Sequence, residues 1–114
     1  MGPGKVLGDA WAAAQIVLDA RGLGELAVNP LNIGHSIGLD HWERPTVARP
    51  ESDMGRVRAR PGMVLCVEPQ IAGASGDDAW SCGLFLVEDQ VLITDTGIEI
   101  LTGTFPRELY VSGG

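Results

Sequence analysis

The feature that most constrains the fold is a series of short apolar runs in the second half of the chain. Each run is too short for a helix and lies between turn-forming or charged residues, a pattern typical of β-strands. The runs are Met63–Val67, Gly83–Val87, Val91–Thr94 and Ile98–Leu101. We therefore expect the second half of the chain to form a sheet.

The first part of the chain has the pattern of one amphipathic helix. Apolar side chains recur there at three- and four-residue spacing, at Ala10, Trp11, Ala14, Val17 and Leu18. Asp9 is placed to cap the N-terminus of this helix, and Gly22 and Gly24 are placed to end it after about Arg21. Residues 49–61 are polar and bounded by prolines, which favours a surface loop. One helix followed by several strands predicts an α+β fold.

Composition narrows the class of protein. The chain has 114 residues, the length of a single domain, and its net charge is −7, with no extended cluster of lysine and arginine. Nucleic acid is therefore not an expected partner. No apolar run is long enough to span a bilayer, and Met1–Lys5 lacks the features of a signal peptide, so we expect a cytoplasmic protein with no membrane contact. Cys66 and Cys82 are interpreted as small buried thiols in a reducing compartment.

Two glutamates stand directly after apolar strand runs. Glu68 follows Met63–Val67, and Glu88 follows Gly83–Val87. A carboxylate at such a position is expected to be partly buried and to need a partner, because an isolated buried charge is costly. The alternative is that each strand simply emerges into water at its glutamate. His35, in a glycine-rich segment, would be a structural histidine if taken alone.

Three blocks of the sequence resemble, in the same order, the motifs of the methionine aminopeptidase, prolidase and creatinase family of metallopeptidases. Gly34–Leu39 reads GHSIGL, Arg60–Pro69 reads RPGMVLCVEP, and Gly83–Thr94 reads GLFLVEDQVLIT. The resemblance extends over residues 3–109. It implies that residues 1–114 are a single partial domain, the C-terminal half of a pita-bread fold. This half is expected to have a curved, mainly antiparallel sheet with at least one packed helix.

The resemblance also implies an activity. It indicates a metal-dependent hydrolase that cleaves a peptide bond near the N-terminus of a peptide or dipeptide, as Xaa-Pro dipeptidases and aminopeptidases do. The family binds two divalent cations through two Asp, one His and two Glu. His35 matches the histidine ligand, Glu68 the first glutamate and Glu88 the second, which bridges the two metals. Such donors suit Mn, Co, Zn or Fe, which would polarise the scissile carbonyl and activate a water. No other cofactor is implied.

The chain departs from the family pattern in three places. The two Asp ligands lie upstream of the helix in the family, so the resemblance implies at most one weakly bound metal here and no activity of this chain alone. The catalytic histidine of the family falls seven residues after the ligand histidine, where this chain has Trp42. His41, one position earlier, is either a catalytic residue that contacts substrate or a surface histidine. Leu31 stands where prolidase-like members often have another histidine, which leaves Xaa-Pro specificity open.

Other functions and partners stay open at this point. A non-catalytic pita-bread module could bind peptides or proteins, and a creatinase-like member would hydrolyse a C–N bond in a non-peptide substrate. A half sheet exposes strand edges and an apolar face, which invite association. We therefore expect either a missing N-terminal half or a second copy of the chain as partner.

Overall fold

The computed structural model describes residues 1–27, 31–73, 83–106 and 108. Within these ranges the chain forms one helix, one short 3₁₀ turn and seven strands, in the α+β order that the sequence predicts. The elements are α1 Leu7–Ala20, the 3₁₀ turn Gly24–Leu26, β1 Asn32–Ser36, β2 Glu43–Ala48, β3 Val64–Val67, β4 Gln70–Ala72, β5 Leu84–Leu86, β6 Asp89–Ile93 and β7 Ile98–Ile100. No helix in the described ranges has the length and apolar character needed to cross a membrane.

The strands form a large sheet and a small ribbon. The large sheet has five strands in the order β2-β1-β3-β6-β7, and β4 pairs with β5 in a separate two-stranded ribbon. Each of these strand pairs is antiparallel. The prediction of a mainly antiparallel sheet with a packed helix is therefore confirmed.

One face of the large sheet packs into the core. Leu65 of β3 lies directly opposite Val91 of β6, and Ile93 is two residues further along β6, so the three side chains share a face. All three are buried, and Leu7 at the start of α1 joins them. The buried cluster at the centre of the core comprises Leu7, Ile33, Val47, Ala59, Leu65 and Ile93.

The helix starts earlier than predicted, and the role expected for Asp9 is wrong. α1 begins at Leu7, its N-cap is Val6, and no side chain caps it. The first backbone N–H groups of a helix need acceptors from outside the helix. Here Leu7 N donates to the carbonyl of Val57 at 2.9 Å, and Gly8 N donates to that of Gly55 at 2.8 Å. Tertiary contacts with a neighbouring segment thus replace the side-chain cap.

The end of the helix agrees with the prediction. Gly22 follows the helix with φ +68°, a conformation that glycine adopts without cost. The N–H of Leu23 donates to the carbonyl of Leu18 at 2.8 Å, and Gly22 N donates to Asp19 at 3.0 Å. This pair of hydrogen bonds is the Schellman motif that commonly ends helices at a glycine.

Other local predictions were incomplete. β1, β2 and β4 were not predicted, because glycine and proline within or beside them, such as Gly34, Pro45 and Pro69, hide their extended character. Residues 49–61 were expected to be a surface loop, yet Gly55 and Ala59 are buried, since this segment supplies the acceptors for the start of α1. Cys82, the second cysteine interpreted as a buried thiol, lies outside the described residues.

Gly34 sets the approach of β1 to β3. A Cβ at this position would collide with the carbonyl oxygen of Cys66 and lie 3.2 Å from the Cα of Val67. The obstruction is backbone, which cannot rotate away as a flexible side chain would. Only glycine therefore allows the two strands to pair as they do, one residue before His35.

We predict that Gly34→Ala lowers the free energy of unfolding by about 1–3 kcal/mol, the usual cost of forcing extra volume into a packed site. Urea denaturation of the purified chain measures it. Gly97→Ala is the matched control, because a Cβ at Gly97 meets nothing within 4 Å. Equal stability of the two variants would contradict the account of the β1–β3 contact.

Candidate metal centre

Side chains from three adjacent strands form a row on the face of the sheet away from the core. His35 of β1 lies directly opposite Cys66 of β3, and Cys66 lies opposite Gln90 of β6. Residues opposite each other in antiparallel strands point to the same face. The register of the sheet alone therefore brings the imidazole of His35, the thiol of Cys66 and the amide of Gln90 together.

The two glutamates extend this row by one position on two of the strands. Glu68 is two residues after Cys66, and Glu88 is two residues before Gln90, so strand alternation places both on the same face. The ladder continues past the end of β3, because Glu68 N donates to the carbonyl of Ile33 at 2.8 Å. The polar and charged groups thus converge through backbone pairing, although they are far apart in sequence.

All of these side chains line one cavity of about 520 Å³. The loop that follows β1 forms its remaining wall. The lining residues are His35, Ile37, Gly38, Leu39, Asp40, His41, Trp42, Cys66, Glu68, Glu88 and Gln90. The sequence singled out His35, His41, Glu68 and Glu88 as site residues, and the structure places all four in this cavity.

His35 is held in a defined orientation. Its Nδ1 lies 3.0 Å from the carbonyl oxygen of Ser36, which can only accept, so Nδ1 carries a hydrogen and donates it. Nε2 lies 3.3 Å from Oε1 of Glu68, and the two side chains are only 10% and 19% exposed. A histidine whose Nδ1–H is fixed by a carbonyl presents Nε2 outward, the usual arrangement of a metal-ligating imidazole.

Glu88 has a different hydrogen-bond partner from Glu68. Glu88 is exposed, in agreement with the alternative of a strand that emerges into water at its glutamate, whereas Glu68 is half-buried. Oε1 of Glu88 accepts a hydrogen bond from Sγ of Cys66 at 3.2 Å. Burial, and secondarily the Glu88 carboxylate, raise the pKa of the Cys66 thiol to about 12. Cys66 is therefore a neutral thiol that donates to Glu88, and the prediction of a small buried thiol is confirmed for this residue.

The loop between β1 and β2 is fixed by Glu43. The N–H of Asp40 donates to Oε1 of Glu43 at 2.9 Å, and Gly38 N donates to the carbonyl of Asp40 at 3.1 Å. A Cβ on Gly38 would lie 2.8 Å from Oε2 of Glu43, so the loop passes close to this carboxylate. Glu43 therefore orients this loop.

His41 and Trp42 both stand at the mouth of the cavity. Both are exposed, and the Trp42 ring lies against the His35 imidazole, with centroids 6.0 Å apart and planes tilted by 40°. The residue in the position of the family histidine is thus an indole that packs on the proposed ligand. His41 shares the cavity with it, so the structure brings both candidates for this position to the site.

A match to a family model supports the same assignment as the motif order, the antiparallel sheet and the shared cavity. The model of metallopeptidase family M24 matches residues 1–95. This chain belongs to metallopeptidase family M24.

Curated relatives of this chain include proteins with different activities in their names. Intermediate cleaving peptidase 55 of Arabidopsis thaliana, a mitochondrial protein, is 36% identical over 88 residues, which are 72% of this chain and 16% of that protein. Dimethylsulfoniopropionate lyase DddP of Roseovarius nubinhibens is 42% identical over 72 residues, 60% of this chain and 15% of the lyase. The chain therefore spans about a sixth of the length of each of these relatives.

Solved structures agree on the fold. The X-Pro aminopeptidase of Thermotoga maritima superimposes with a TM-score of 0.77 at 26% identity, over 97% of this chain and 28% of that one. The predicted assignment to part of a pita-bread metallopeptidase domain is confirmed.

The residues present fit a divalent metal in type and only partly in arrangement. M24 is a metallopeptidase family, and one imidazole with two carboxylates is a donor set that Mn, Co, Fe and Zn accept. Among the described residues, however, no three His, Cys, Asp or Glu side chains are grouped closely enough to hold an ion. His35 and Glu68 form a close pair, while the Glu88 carboxylate faces Cys66. To bind an ion, Glu88 would have to exchange its contact with the Cys66 thiol, and His35 and Glu68 would have to exchange their contact with each other.

Sequence reasoning missed the cavity roles of Cys66, Gln90 and Asp40. Two of them had a usable signal: Cys66 is two residues before Glu68 and Gln90 two residues after Glu88, so strand alternation assigns them to the face of the glutamates. Asp40 had no such signal, because its position depends on the loop that Glu43 holds.

Proposed function

We propose that this chain supplies the His35, Glu68 and Glu88 side of a metal-dependent peptidase site that hydrolyses a peptide bond near the N-terminus of its substrate. The observation that carries the proposal is the His35–Glu68 pair: Nε2 lies 3.3 Å from Oε1, and Nδ1 is fixed on the Ser36 carbonyl. Membership of M24 and the likeness to an X-Pro aminopeptidase support this reaction class.

In this proposal His35, Glu68 and Glu88 hold one divalent ion, Mn, Co, Zn or Fe. The ion, when bound, supplies a Lewis acid that polarises the scissile carbonyl and lowers the pKa of a water. The Ser36 carbonyl keeps the His35 ring in the ligating tautomer and orientation. Cys66, as a neutral thiol, holds the Glu88 carboxylate at the edge of the cavity. The family site takes two metals, and a second ion would need ligands beyond those three.

His41 is the proposed catalytic contact. It lines the same cavity as His35, Glu68 and Glu88. An exposed imidazole at the mouth can donate to the substrate carbonyl or exchange a proton with the leaving amine. Trp42 cannot exchange a proton with the leaving amine, since its indole N–H is a hydrogen-bond donor only.

A second candidate function rests on Trp42. The indole of Trp42 packs on His35 where the family has its histidine, which favours a pita-bread binding module without turnover.

The similarity to a protein named as a lyase also supports a third candidate, an enzyme that acts on a non-peptide substrate, as the creatinase-like C–N hydrolases do. Turnover assays separate these candidates from the peptidase.

The function is tested with Xaa-Pro dipeptides and aminopeptidase substrates in the presence of Mn²⁺ or Co²⁺. The chain is assayed alone and combined with the preceding part of an M24 domain, such as that of the Thermotoga X-Pro aminopeptidase. We expect metal-dependent release of the N-terminal residue by the combination and little turnover by the chain alone. His41→Ala should lower kcat by about 100-fold or more, the usual contribution of a general acid or base.

The control for His41→Ala is Glu51→Gln, a charge change at an exposed residue outside the cavity, which should leave turnover unchanged. A folded combination that binds metal and hydrolyses none of these substrates would contradict the peptidase and favour the binding module. If His41→Ala leaves the kinetics unchanged, only the catalytic role of His41 is wrong, and the peptidase proposal stands.

We also propose that another polypeptide covers the apolar surface of β5 and β7, either the remaining half of the domain or a second copy of this chain. The exposed fraction is 64% for Phe85 and 44% for Leu84 on β5, and 43% for Ile98 and 44% for Ile100 on β7. β7 is an edge strand of the large sheet. Exposed apolar residues on strand edges favour pairing with another chain.

We expect the isolated chain to self-associate, with an average mass by light scattering that rises with concentration. Phe85→Ser should reduce the association, because it removes the most exposed aromatic side chain of β5. A monodisperse monomer of the parent chain at every concentration would contradict this proposal.

A further inference from the structure

The polar row contains a sulfur donor that the proposed ligand set does not use. Cys66 lies directly opposite His35 in the β1–β3 pair and lines the same cavity. Sγ of Cys66 donates to Oε1 of Glu88 at 3.2 Å. Burial raises the pKa of this thiol, and the Glu88 and Glu68 carboxylates raise it further, so both carboxylates are near the sulfur. The thiol is thus adjacent to all three residues that the proposed function assigns to an ion.

The contacts between these groups have lengths close to those between ligands of one tetrahedral ion. Zinc bonds of about 2.3 Å to sulfur and about 2.1 Å to nitrogen or oxygen place tetrahedral ligands about 3.4 to 3.6 Å apart. Sγ of Cys66 is 3.2 Å from Glu88, and Nε2 of His35 is 3.3 Å from Glu68. In the described part of the chain these groups form two pairs and not one ligand shell, so an ion must draw the pairs together. The carboxylates can move by rotation of their side chains, whereas His35 and Cys66 are buried on paired strands.

Sulfur differs from the other donors of the row in the ions that it favours. Thiolates favour Zn²⁺ and other soft ions, whereas Mn²⁺ favours carboxylate and water oxygens. One thiolate, one imidazole and carboxylate oxygens are all donors that zinc accepts in a tetrahedral arrangement. Because Cys66 is only 3% exposed and lines the cavity, an ion that reaches its sulfur also lies next to the carboxylates.

We propose that Cys66 is a fourth ligand of the metal centre, and that its sulfur raises the affinity of the site for Zn²⁺ and Cd²⁺ but not for Mn²⁺. On binding, the S–H bond of Cys66 breaks, its proton leaves to solvent, and the sulfur electron pair forms the bond to the ion, with no group oxidised or reduced. Glu88 then loses the hydrogen bond from the thiol and binds the same ion. This inference rests on the metal site of the proposed function and specifies its metal, zinc.

Cobalt reports a sulfur ligand directly. Co²⁺ bound to a thiolate has an intense sulfur-to-metal charge-transfer band in the near ultraviolet, which oxygen and nitrogen ligands do not give. The whole chain is used with the substitution Cys82→Ser, so that Cys66 is the remaining thiol of the sequence. We expect saturation with Co²⁺ to produce this band, and the further substitution Cys66→Ser to abolish it. The band reports the ligand without any turnover, and it is read on a chain in which Cys66 is intact.

Competition titrations measure the metal preference. Zn²⁺ binds more tightly than Mn²⁺ to most sites, so the effect of removing the sulfur decides, not the preference itself. Cys66→Ser should lower the affinity for Zn²⁺ and Cd²⁺ by more than about tenfold, since even the outer partners of metal ligands have effects of this size. Its affinity for Mn²⁺ should change by less than about twofold, which also shows that the variant folds and keeps the other ligands. Gln90→Ala is the matched control, a residue of the same row opposite Cys66 that supplies no sulfur, and should leave the ratio of Zn²⁺ to Mn²⁺ affinity unchanged.

A saturated Co²⁺ complex without the charge-transfer band would overturn the inference, as would equal losses of Zn²⁺ and Mn²⁺ affinity in Cys66→Ser. These outcomes are distinct from failure of the proposed function. If the band is absent but the combined domain hydrolyses peptides, only the sulfur ligand is wrong. If the band is present but the combined domain lacks hydrolysis, the zinc site stands without the peptidase. A chain that binds none of these ions would contradict both the inference and the metal site on which it rests.

Discussion

The backbone pairing of β3 with β1 and β6 is the constraint on which the rest of the structure depends. Cys66 lies opposite both His35 and Gln90, and this register determines which side chains face the cavity and which face the core. A slip of one residue would exchange the two faces, placing Leu65 in the cavity and Cys66 in the core. The burial of Leu65 therefore stabilises the same register that assembles the polar row, so that fold stability and site geometry are not independent.

The two sides of the sheet carry opposite requirements. The core face needs close packing, and Leu7, Leu65 and Ile93 are completely buried there. The cavity face needs charged groups close together, which is unfavourable unless they have partners. The structure places these groups in pairs, with His35 3.3 Å from Glu68 and Cys66 donating a hydrogen bond to Glu88. These pairings keep the donors near each other without an ion and leave them available to one.

The sequence predicted elements that depend on local pattern and missed those that depend on tertiary contacts. The helix, its end at Gly22 and the strands around Met63–Val67 and Val91–Thr94 follow from period and turn residues. The start of α1 did not, because the acceptors for its first N–H groups come from residues 55 and 57. β2 was missed because its residues have little strand pattern of their own and are extended through pairing with β1. The chain gives no local signal for either contact.

The candidate site shows the same division. His35, Glu68 and Glu88 could be assigned to a common cavity because three motifs occur in the order of a known family, although neither composition nor period relates them. The hydrogen-bond partners of His35 and Glu88 could not be predicted. The Ser36 carbonyl and the Cys66 thiol become their partners only through the geometry of the strands. The wall of the cavity likewise depends on a loop that one carboxylate, Glu43, orients.

The central claim is that His35, Glu68 and Glu88 can converge on one divalent ion, and thermal unfolding with and without Mn²⁺ tests it most directly. At a metal concentration about ten times the Kd, the account predicts that the unfolding midpoint rises by about 5 °C or more. The rise should be lost in Glu68→Gln and kept in Glu51→Gln. A midpoint that Mn²⁺ leaves unchanged in the parent chain, or raises equally in Glu68→Gln, would contradict the claim.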